Sequence, residues 1–467
     1  MTKYANQQIS NFLDTWLQQR TDQDGLPGFV VAIRQKGKTI YKRTFQATDI
    51  ATPIHTSIIF NIGSQAKLLT ATLILQAVER KELTLDALVV QFIPWLADHT
   101  DQRVKLITVE QLLWHGAGLL RDGLDADYWQ LTRPFPDNTA LRQLVLSAPL
   151  TIRSGYKLKY SNLGYALLGE ILKTVTGMEY EVLIKKYIAA PLKLESFTTH
   201  LSSRVKTRIA PGYTERIDGT YRTLTTVINT NAFTSVVGCY TTAEDMTKVI
   251  DEIINGTILL GSNVQRMLIS GGRAHWIPEN QRGSQYGLGV MSLGLAGQTL
   301  MGHSGALLAH RSATYTDPST NTTIAVMATS KQVPVNQILT GIFEALNYLT
   351  PELSAAPTPN NRFTASLQNL LGAQYIIGLQ NKVIKISLDD WYPFDQIDEM
   401  EVIDDTTLKI TRAHDFYAEG ELVHYSFFQD TLVSVRLAGL TMWPKAVFTQ
   451  WLSENTDSAT ILSVQDT

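Results

Sequence analysis

The spacing of apolar positions changes several times along the chain, and each change predicts a different kind of element. Near the N-terminus the apolar side chains recur at the three- and four-residue intervals of an amphipathic helix: Ile9, Phe12, Leu13, Trp16 and Leu17. Residues 29–34 and 39–45 are rich in Val, Ile, Tyr and Phe, and a Lys-Gly-Lys turn separates them. This pattern predicts a β-hairpin. Residues 68–78 are almost entirely apolar, which predicts a buried helix.

The middle of the chain is mainly helical in pattern, and apolar strands return before residue 330. Helices are predicted at residues 108–114, 163–176, 180–187, 242–254 and 338–349. Strands are predicted at residues 286–291, 298–301, 311–316 and 323–328. Residues 121–138 are polar and aromatic with little period, so we interpret them as a long surface loop. Strands at both ends with helices between them predict an antiparallel sheet covered by helices.

A change of composition near residue 350 predicts a second domain. Residues 351–361 are rich in Pro, Ala and Asn, which is typical of a linker. Beyond them, period-two strand patterns occur at residues 382–388, 399–403, 407–412, 421–428 and 432–438. We therefore predict an α+β protein whose domain 1–350 has an antiparallel sheet flanked by helices plus an all-helical region. The linker 351–361 and a small all-β, barrel-like domain at residues 362–467 follow it.

The composition argues against several classes of function. The chain has 467 residues, 44% hydrophobic and 18% charged, with a net charge of -3. These values are typical of a globular protein and, without a basic tract, argue against nucleic acid or an anionic membrane surface as a partner. The sequence contains no apolar run long enough for a membrane span and no histidine spacing typical of a metal site. We therefore expect neither a metal nor another cofactor.

Cysteine usage and the N-terminal pattern bear on localisation. The single cysteine, Cys239, cannot form an internal disulfide, which fits a reducing compartment, and we expect it to be buried. The first twenty residues alternate apolar and polar positions, unlike the continuous apolar core of a signal peptide. The sequence as given predicts a cytoplasmic protein. A leader removed before residue 1 would make the protein extracytoplasmic.

A Ser-x-x-Lys pattern opens the buried helix at Ser64 and Lys67. Positions i and i+3 share a helix face, so the lysine amine would lie beside the serine hydroxyl. At a helix start the free N–H groups and the positive dipole also suit a developing oxyanion. The alternative interpretation of Ser64 is an ordinary helix cap. The pattern also occurs at Ser154 and Ser203, but neither opens a buried helix in our prediction.

Three motifs follow one another in the chain: Ser64-x-x-Lys67, Tyr160-Ser161-Asn162 and His303-Ser304-Gly305. Their order and spacing resemble the serine hydrolases of the class C β-lactamase and penicillin-binding-protein superfamily, in its β-lactamase-related branch of D-aminopeptidases and esterases. Residues 107–115, 242–245 and 286–289 are also similar to that family. The resemblance covers about residues 20–350 and implies the β-lactamase/transpeptidase-like fold there.

The resemblance implies a role for each matching residue. Ser64 would be the nucleophile that forms an acyl-enzyme. Lys67 would hold or shuttle its proton, and the lysine charge would lower the pKa of Tyr160. Tyr160 would be the general base in acylation and then return a proton to the leaving group.

The remaining motif residues would bind the substrate. Asn162 would hydrogen-bond Lys67 and the substrate amide, and the segment His303, Ser304, Gly305 and Ala306 would line the site. The backbone N–H groups of Ser64 and Ala306 would form the oxyanion hole. Each of these residues also has an ordinary structural interpretation: Asn162 as a helix cap, and Tyr160 as a buried tyrosine.

His303 departs from the Lys-Thr-Gly motif of penicillin-binding relatives. A permanent cation there suits a substrate carboxylate, whereas a neutral imidazole binds anions less well near pH 7. The peptidase and esterase branches of the family often carry His at this place, so we expect inefficient β-lactam hydrolysis. Arg311 is an alternative source of the cation, although a surface arginine is the simpler interpretation. We interpret His115 as a buried structural histidine.

The leading hypothesis is therefore a metal-independent serine hydrolase acting on a small amide or ester. The expected partners are a small molecule or a short peptide, with a β-lactam as a candidate covalent ligand. The alternative is a catalytically weak penicillin-binding sensor or assembly protein that uses the fold to bind ligands. An α/β-hydrolase is disfavoured because the sequence has no Gly-x-Ser-x-Gly pentapeptide. The sequence leaves the natural substrate and the oligomeric state open.

Overall fold

A computed structural model of the protein describes residues 2–48, 50, 52–269, 285–353, 359–414 and 418–455. Its α-helices are α1 (Lys3–Asp24), α2 (Ala66–Glu79), α3 (Val109–Leu113), α4 (Asn138–Leu146), α5 (Asn162–Thr176), α6 (Tyr180–Ile184), α7 (Ser203–Lys206), α8 (Thr234–Val237), α9 (Ala243–Ile254), α10 (Gly261–Ile269), α11 (Val335–Glu352) and α12 (Lys445–Asn455). None of the helices in these ranges combines the length and the apolar character needed to cross a bilayer.

The β-strands fall into an early, a middle and a late group. The early and middle strands are β1 (Phe29–Gln35), β2 (Lys38–Phe45), β3 (Phe60–Asn61), β4 (Gly212–Tyr213), β5 (Thr223–Leu224), β6 (Tyr240–Thr241), β7 (Gln285–Tyr286), β8 (Met291–Leu295), β9 (Gln298–Leu307), β10 (His310–Asp317) and β11 (Thr322–Ala328). The late strands are β12 (Ala365–Asn369), β13 (Gly372–Gly378), β14 (Val383–Ser387), β15 (Ile397–Val402), β16 (Thr407–Arg412), β17 (Leu422–Phe428), β18 (Thr431–Leu437) and β19 (Leu440–Pro444).

The chain divides into two compact units. Residues 26–339 form one unit, and residues 1–25 together with 340–467 form the other. The first helix, which the sequence pattern places in an N-terminal domain, is thus grouped with the C-terminal strands. Of the predicted linker, residues 354–358 lie outside the described residues.

The unit of residues 26–339 is built on a seven-stranded antiparallel sheet. The strand order is β2-β1-β11-β10-β9-β8-β7, so the predicted hairpin at the start pairs with strands from the end of the unit. In β1, Phe29 pairs with Ala328 of β11, and in β9, His303 pairs with Thr314 of β10. The residues of β11 are buried throughout, as expected for a central strand covered on both faces. The predicted α+β antiparallel architecture is confirmed.

Helix α2 runs through the core of this unit. Its residues from Ala66 to Ala77 are buried, because nearly every position is apolar and the helix is surrounded by others. The predicted buried helix after Ser64 is therefore confirmed. The other two Ser-x-x-Lys matches differ: Ser154 lies in a turn, and α7, which contains Ser203, has no buried residue.

The prediction of a long surface loop at residues 121–138 is correct for most of the segment, which is irregular and largely exposed, but not for its buried aromatic residues. Asp127–Gln130 forms a 3-10 helix, and Tyr128 is fully buried with its hydroxyl donating to the Asp122 carbonyl at 2.8 Å. The Tyr128 ring lies 5.3 Å from the rings of Phe135 and Phe233. The aromatic residues that broke the helical period in the sequence are thus core residues of an irregular, packed segment.

The second unit contains a closed eight-stranded barrel, β12 to β19, which confirms the predicted barrel-like region. Its interior is filled by apolar side chains such as Leu367, Ile376 and Val435. Helix α1 packs on it: the Phe12 ring lies 5.4 Å from that of Tyr375, and Trp16 Nε1 donates to the Asp390 carbonyl at 2.8 Å. The amphipathic face predicted for α1 is therefore buried within this unit.

Candidate active site

The candidate nucleophile lies where a short turn opens the buried helix. Gly63–Gln65 forms a 3-10 turn, and α2 continues from it. Asn61 holds the approach to this turn, because its Oδ1 accepts the Gly63 N–H at 2.7 Å and its Nδ2 donates to the Val237 carbonyl at 2.9 Å. Backbone amides at a helix start lack intrahelical partners and suit the stabilisation of an oxyanion.

Two glycines allow strand β9 to approach this turn closely. A Cβ on Gly63 would lie 2.3 Å from the Ala306 backbone nitrogen, and a Cβ on Gly305 would lie 1.9 Å from the Ile62 carbonyl oxygen. Gly63 also has a φ of 55°, in the left-handed region that disfavours side chains. The backbone of the His-Ser-Gly segment therefore lies directly against that of the nucleophile turn.

Lys67 contacts the hydroxyl of Ser64, as the i, i+3 spacing predicts. Its Nζ lies 3.0 Å from Ser64 Oγ and 3.4 Å from the Val236 carbonyl oxygen. The lysine is completely buried, and burial holds the pKa of its amine well below the ordinary value. The charge of Asp122 opposes this shift by raising the pKa. Burial therefore favours the neutral amine, which is the form that can accept a proton.

Tyr160 completes the group around Ser64. Lys67 Nζ lies 5.1 Å from the centre of its ring. The predicted lowering of the Tyr160 pKa is wrong, because burial raises the pKa and outweighs the hydrogen bond with Ser64, which lowers it. The hydroxyl is accordingly held in its protonated form.

His115 contacts the Tyr160 segment through two hydrogen bonds and one contact between rings. Its Nδ1 accepts the Ser161 N–H at 3.1 Å, its carbonyl accepts the Lys159 N–H at 2.7 Å, and its ring lies 4.1 Å from that of Tyr160. Burial keeps the pKa of this imidazole well below its ordinary value. The buried structural histidine expected here thus supports the backbone and the ring of the Tyr160 segment.

Asn162 is buried at the start of α5, and its side chain contacts a carboxylate. Its Nδ2 donates to Asp122 Oδ1 at 2.6 Å, while its Oδ1 has no hydrogen-bond partner among the described residues. The helix cap itself is Ser161, whose Oγ accepts the Gly164 N–H at 3.0 Å. The interpretation of Asn162 as an ordinary helix cap is therefore wrong, which leaves its amide available to the site.

His303 is buried and neutral. Burial lowers its pKa to about 3. Its Nδ1 lies 2.5 Å from the Ser304 carbonyl oxygen, which only accepts, so Nδ1 carries the proton and Nε2, at 3.1 Å, accepts from the Tyr286 hydroxyl. This position therefore lacks the permanent cation of a lysine, as the sequence predicts for an imidazole.

Two further polar residues of strands β9 and β10, Ser304 and Arg311, have hydrogen-bond partners of their own. Ser304 Oγ contacts the Tyr315 hydroxyl at 3.2 Å and donates to Asn336 Oδ1 at 3.3 Å. Arg311 Nη1 donates to the Leu308 carbonyl at 2.6 Å and the His310 carbonyl at 2.9 Å. These contacts hold the guanidinium against the backbone turn between β9 and β10.

Sequence comparison identifies the family of this chain. Residues 13–346 match the protein family described as Beta-lactamase. The chain belongs to the beta-lactamase family. Similar family members include esterase EstB of Burkholderia gladioli, 31% identical over 38% of this chain, and penicillin-binding protein 4 of Amycolatopsis lactamdurans, 29% identical over 34% of it. The matched part spans 49% and 40% of these two relatives, about half their length or less.

Solved structures of similar fold agree with this family assignment. The octameric penicillin-binding protein homologue of Pyrococcus abyssi has a TM-score of 0.63 at 20% identity, over 92% of this chain and 99% of its own. A D-amino acid amidase of Ochrobactrum anthropi SV3, in complex with D-phenylalanine, has a TM-score of 0.60 at 20% identity, over 72% and 99% of the two chains. At these identities the likeness establishes the fold alone.

Sequence reasoning missed two residues of this beta-lactamase-family site. Asp122 lies in the segment that we interpreted as a surface loop. His310 is buried, with its Nδ1 accepting the Asn61 N–H at 3.0 Å, and it thereby supports the nucleophile turn. The only signal in the sequence was their position, Asp122 a few residues after the segment 107–115 and His310 a few residues after the His-Ser-Gly motif.

Proposed function

We propose that this protein is a serine hydrolase that cleaves a small amide or ester through an acyl-enzyme on Ser64. The observation that carries the proposal is the 3.0 Å contact between Lys67 Nζ and Ser64 Oγ in a buried setting. An amine whose pKa burial lowers is a suitable base for a serine hydroxyl. D-amino-acid peptides, D-Ala-D-Ala carboxypeptidase-like peptides and simple esters are the candidate substrates.

In the proposed acylation, Ser64 Oγ attacks the substrate carbonyl carbon and its proton passes to the neutral Lys67 amine. The backbone N–H groups of Ser64 and Ala306 stabilise the oxyanion. The protonated Tyr160 hydroxyl donates its proton to the leaving amine or alkoxide as the scissile bond breaks. The Lys67 ammonium then returns a proton to Tyr160, which restores both groups.

Deacylation uses the same groups in reverse. A water molecule attacks the acyl carbonyl and gives its proton to the Lys67 amine, either directly or through Tyr160. The bond to Ser64 Oγ breaks, and the proton held by Lys67 passes to that oxygen. The carboxylic acid product leaves with every group in its initial state, and the cycle needs no cofactor.

The charge of the strand β9 segment narrows the substrate class. His303 is neutral above about pH 5 because burial lowers its pKa to about 3. Arg311 is held by two backbone carbonyls. His303 therefore offers a substrate carboxylate no permanent cation, and the hydrogen bonds of Arg311 hold its guanidinium at the backbone turn between β9 and β10. This favours neutral esters and amides over penicillins and over peptides with a free C-terminal carboxylate.

The names of similar proteins fit the proposal. They include an esterase and, among solved structures of the same fold, a D-amino acid amidase bound to D-phenylalanine. The first name describes hydrolysis of an ester, and the second describes hydrolysis of an amide. Ester and amide hydrolysis share one acyl-enzyme route, so a site of this design accepts either leaving group.

The test is covalent labelling of the purified protein with a fluorophosphonate, followed by intact mass and peptide mapping. We expect one adduct, on Ser64, and no adduct in Ser64→Ala. Turnover of a nitrophenyl ester should be lost in Ser64→Ala and reduced by a factor on the order of 10² to 10⁴ in Tyr160→Phe. An unlabelled wild-type protein without ester turnover would contradict the proposal. A penicillin adduct without turnover of any substrate would favour the ligand sensor instead.

A further inference from the structure

The segment at Arg121 and Asp122 is attached to the start of helix α5. The Arg121 carbonyl accepts the Asn162 N–H at 2.8 Å and the Leu163 N–H at 3.2 Å. Asp122 is buried, with 7% of its surface exposed, and its own carbonyl accepts the Tyr128 hydroxyl. The backbone that carries the Asp122 carboxylate is therefore fixed relative to the start of helix α5.

The Asp122 carboxylate determines which way the Asn162 amide faces. A carboxylate accepts hydrogen bonds and has none to donate, so the group 2.6 Å from Asp122 Oδ1 is the Asn162 NH₂. Arg121 Nε lies 3.0 Å from Asp122 Oδ2 and forms an ion pair with the other carboxylate oxygen. The Asn162 amide oxygen must therefore face away from Asp122.

That amide oxygen is a buried acceptor without a donor. Asn162 is 2% exposed, and its Oδ1 has no hydrogen-bond partner within the described ranges. A buried acceptor left unpaired costs free energy on the order of 1 to 3 kcal/mol in a folded protein. We therefore expect the Asn162 amide oxygen to gain a donor at some stage of the reaction. Lys67 has three N–H donors once it has accepted the Ser64 proton, and it contacts Ser64 Oγ and the Val236 carbonyl.

We infer that Asp122 is a positioning residue, which fixes the Asn162 amide so that Oδ1 accepts from the Lys67 ammonium formed during acylation. This inference rests on the proposed function. The charge of Asp122 affects the pKa of both Lys67 and Tyr160, which places it within electrostatic reach of the two proton-transfer groups. Asp122 itself touches neither the substrate nor the reacting atoms.

Without the carboxylate the amide loses its preferred orientation. An asparagine at position 122 can either accept from Asn162 or donate to it, so the Asn162 amide can turn and direct its NH₂ toward Lys67. A donor there would repel the ammonium instead of stabilising it. The change acts on the charged species of the reaction and therefore on kcat and on the rate of Ser64 labelling, with little effect on KM.

The experiment is a double-mutant cycle on the full-length chain. The variants are Asp122→Asn, Asn162→Ala and the double variant, and the readouts are the second-order rate of fluorophosphonate labelling and kcat and KM on a nitrophenyl ester. Asp125→Asn is the matched control, because Asp125 is an exposed carboxylate of the same segment that pairs with Arg133. Thermal unfolding of each variant reports folding separately.

We expect Asp122→Asn to slow labelling and kcat by a factor on the order of 10 to 100, the effect of losing a hydrogen bond to a charged group. In the Asn162→Ala background the same substitution should have an effect below about twofold, since its target is gone. Asp125→Asn should match the wild type. Equal effects in both backgrounds, or an Asp122→Asn variant as fast as Asp125→Asn, would overturn the inference.

Two further outcomes distinguish a failure of the inference from a folding defect and from a failure of the proposed function. If Asp122→Asn does not fold, Asp122→Glu takes its place: it remains acceptor-only and should label within about tenfold of the wild type. If Asp122→Glu slowed Ser64 labelling as much as Asn162→Ala does, the inference would be overturned. If the wild type is labelled at Ser64 and hydrolyses the ester while Asp122→Asn is unimpaired, the inference about Asp122 fails and the proposed function stands. A wild type that does not label at Ser64 defeats the proposed function as well.

Discussion

Gly63 and Ala306 approach each other so closely that a Cβ on Gly63 would lie 2.3 Å from the Ala306 backbone nitrogen. Gly63→Ala should therefore push strand β9 away from the nucleophile turn and disturb the oxyanion site. We expect Ser64 labelling to slow by a factor on the order of 100. Gly177→Ala is the matched control, because Gly177 has a similar φ of 66° but no atom near its Cβ position.

The control separates backbone strain from the steric clash. Gly177→Ala should lose about 1 to 2 kcal/mol of stability, the cost of the left-handed conformation, and keep its labelling rate. Gly63→Ala should lose more stability, as measured by denaturant unfolding. Equal stability and equal labelling in the two variants would contradict the close approach of the two backbones.

The pH dependence of kcat/KM should report Lys67. In the proposed mechanism the neutral amine is the active form, and burial lowers the pKa of Lys67 well below 10.5, so activity should rise with pH through a limb well below that value. The pKa of Tyr160 is raised above 10.0, so no descending limb from this hydroxyl should occur below pH 10. A profile on a nitrophenyl ester, corrected for spontaneous hydrolysis, measures both.

Lys67→Arg is the companion variant for this profile. Arginine keeps the charge but cannot give up its proton, so the ascending limb should disappear together with a 10²- to 10⁴-fold loss of rate, on the order of one general-base contribution. A Lys67→Arg variant with the wild-type limb would show that another group titrates.

The charge of the substrate should affect kcat/KM, because the His303 imidazole is neutral. A neutral ester, nitrophenyl acetate, should have a higher kcat/KM than the anionic nitrophenyl succinate. The ratio of the two should stay constant between pH 5 and 8, because the imidazole titrates only near its pKa of about 3. His303→Lys should move the ratio toward the anionic ester. A wild-type ratio that changes across pH 6.5 would indicate a charged imidazole and contradict the neutral site.

His310 should make the folded protein sensitive to acid. Burial lowers its pKa from 6.5 to about 4, so the unfolded chain binds a proton first as the pH falls. Its contribution to the free energy of unfolding is complete above pH 6.5 and is lost as the pH falls to about 4, on the order of 3 kcal/mol. In His310→Gln this part of the pH dependence should be absent.

Denaturant unfolding between pH 4 and 7 checks the His310 prediction. The matched control is His200→Gln, since the side chain of His200 is exposed and lies 3.9 Å from Glu181. The control should follow the wild-type curve. A His310→Gln curve with the full wild-type slope would assign the acid sensitivity to other groups.

Trp16 should be essential to the unit that contains the barrel. Its side chain is fully buried and packs on Trp391 with a ring distance of 6.0 Å. Trp16→Ala should destabilise that unit by about 3 to 5 kcal/mol, as large core truncations do. Leu370→Ala, at a position 59% exposed, should change stability by less than about 0.5 kcal/mol. Calorimetry of both variants measures the difference, and equal transitions would contradict the packing of α1.

The sequence pattern correctly predicted contacts and elements that depend only on residues close together in the chain. The spacing of Ser64 and Lys67 places both on one face of a helix that is apolar all round, so their contact follows from the chain itself. Period-two segments such as residues 407–412 also became strands as predicted. Strands β12, β13 and β19 were missed, because residues such as Gly372 and Pro444 interrupt the alternation.

Features decided by distant neighbours were not predictable from one sequence. Asp122 looks like any polar loop residue, and only the packing of Tyr128 beneath it makes it a buried carboxylate. The direction of the Tyr160 pKa was misjudged because charge spacing is visible in a sequence while burial is not. The pattern of α1 shows which of its faces is apolar, but not which element covers that face.

The hydrogen bond from Trp16 to Asp390 joins residues that are 374 positions apart in the chain. During synthesis, helix α1 therefore leaves the ribosome long before the residues that cover it. At about 5 to 20 residues per second, the apolar face of this helix waits roughly 20 to 75 s for its partner. An apolar face exposed over that interval is prone to aggregation, so we expect chaperone supply and translation speed to affect the yield of folded protein.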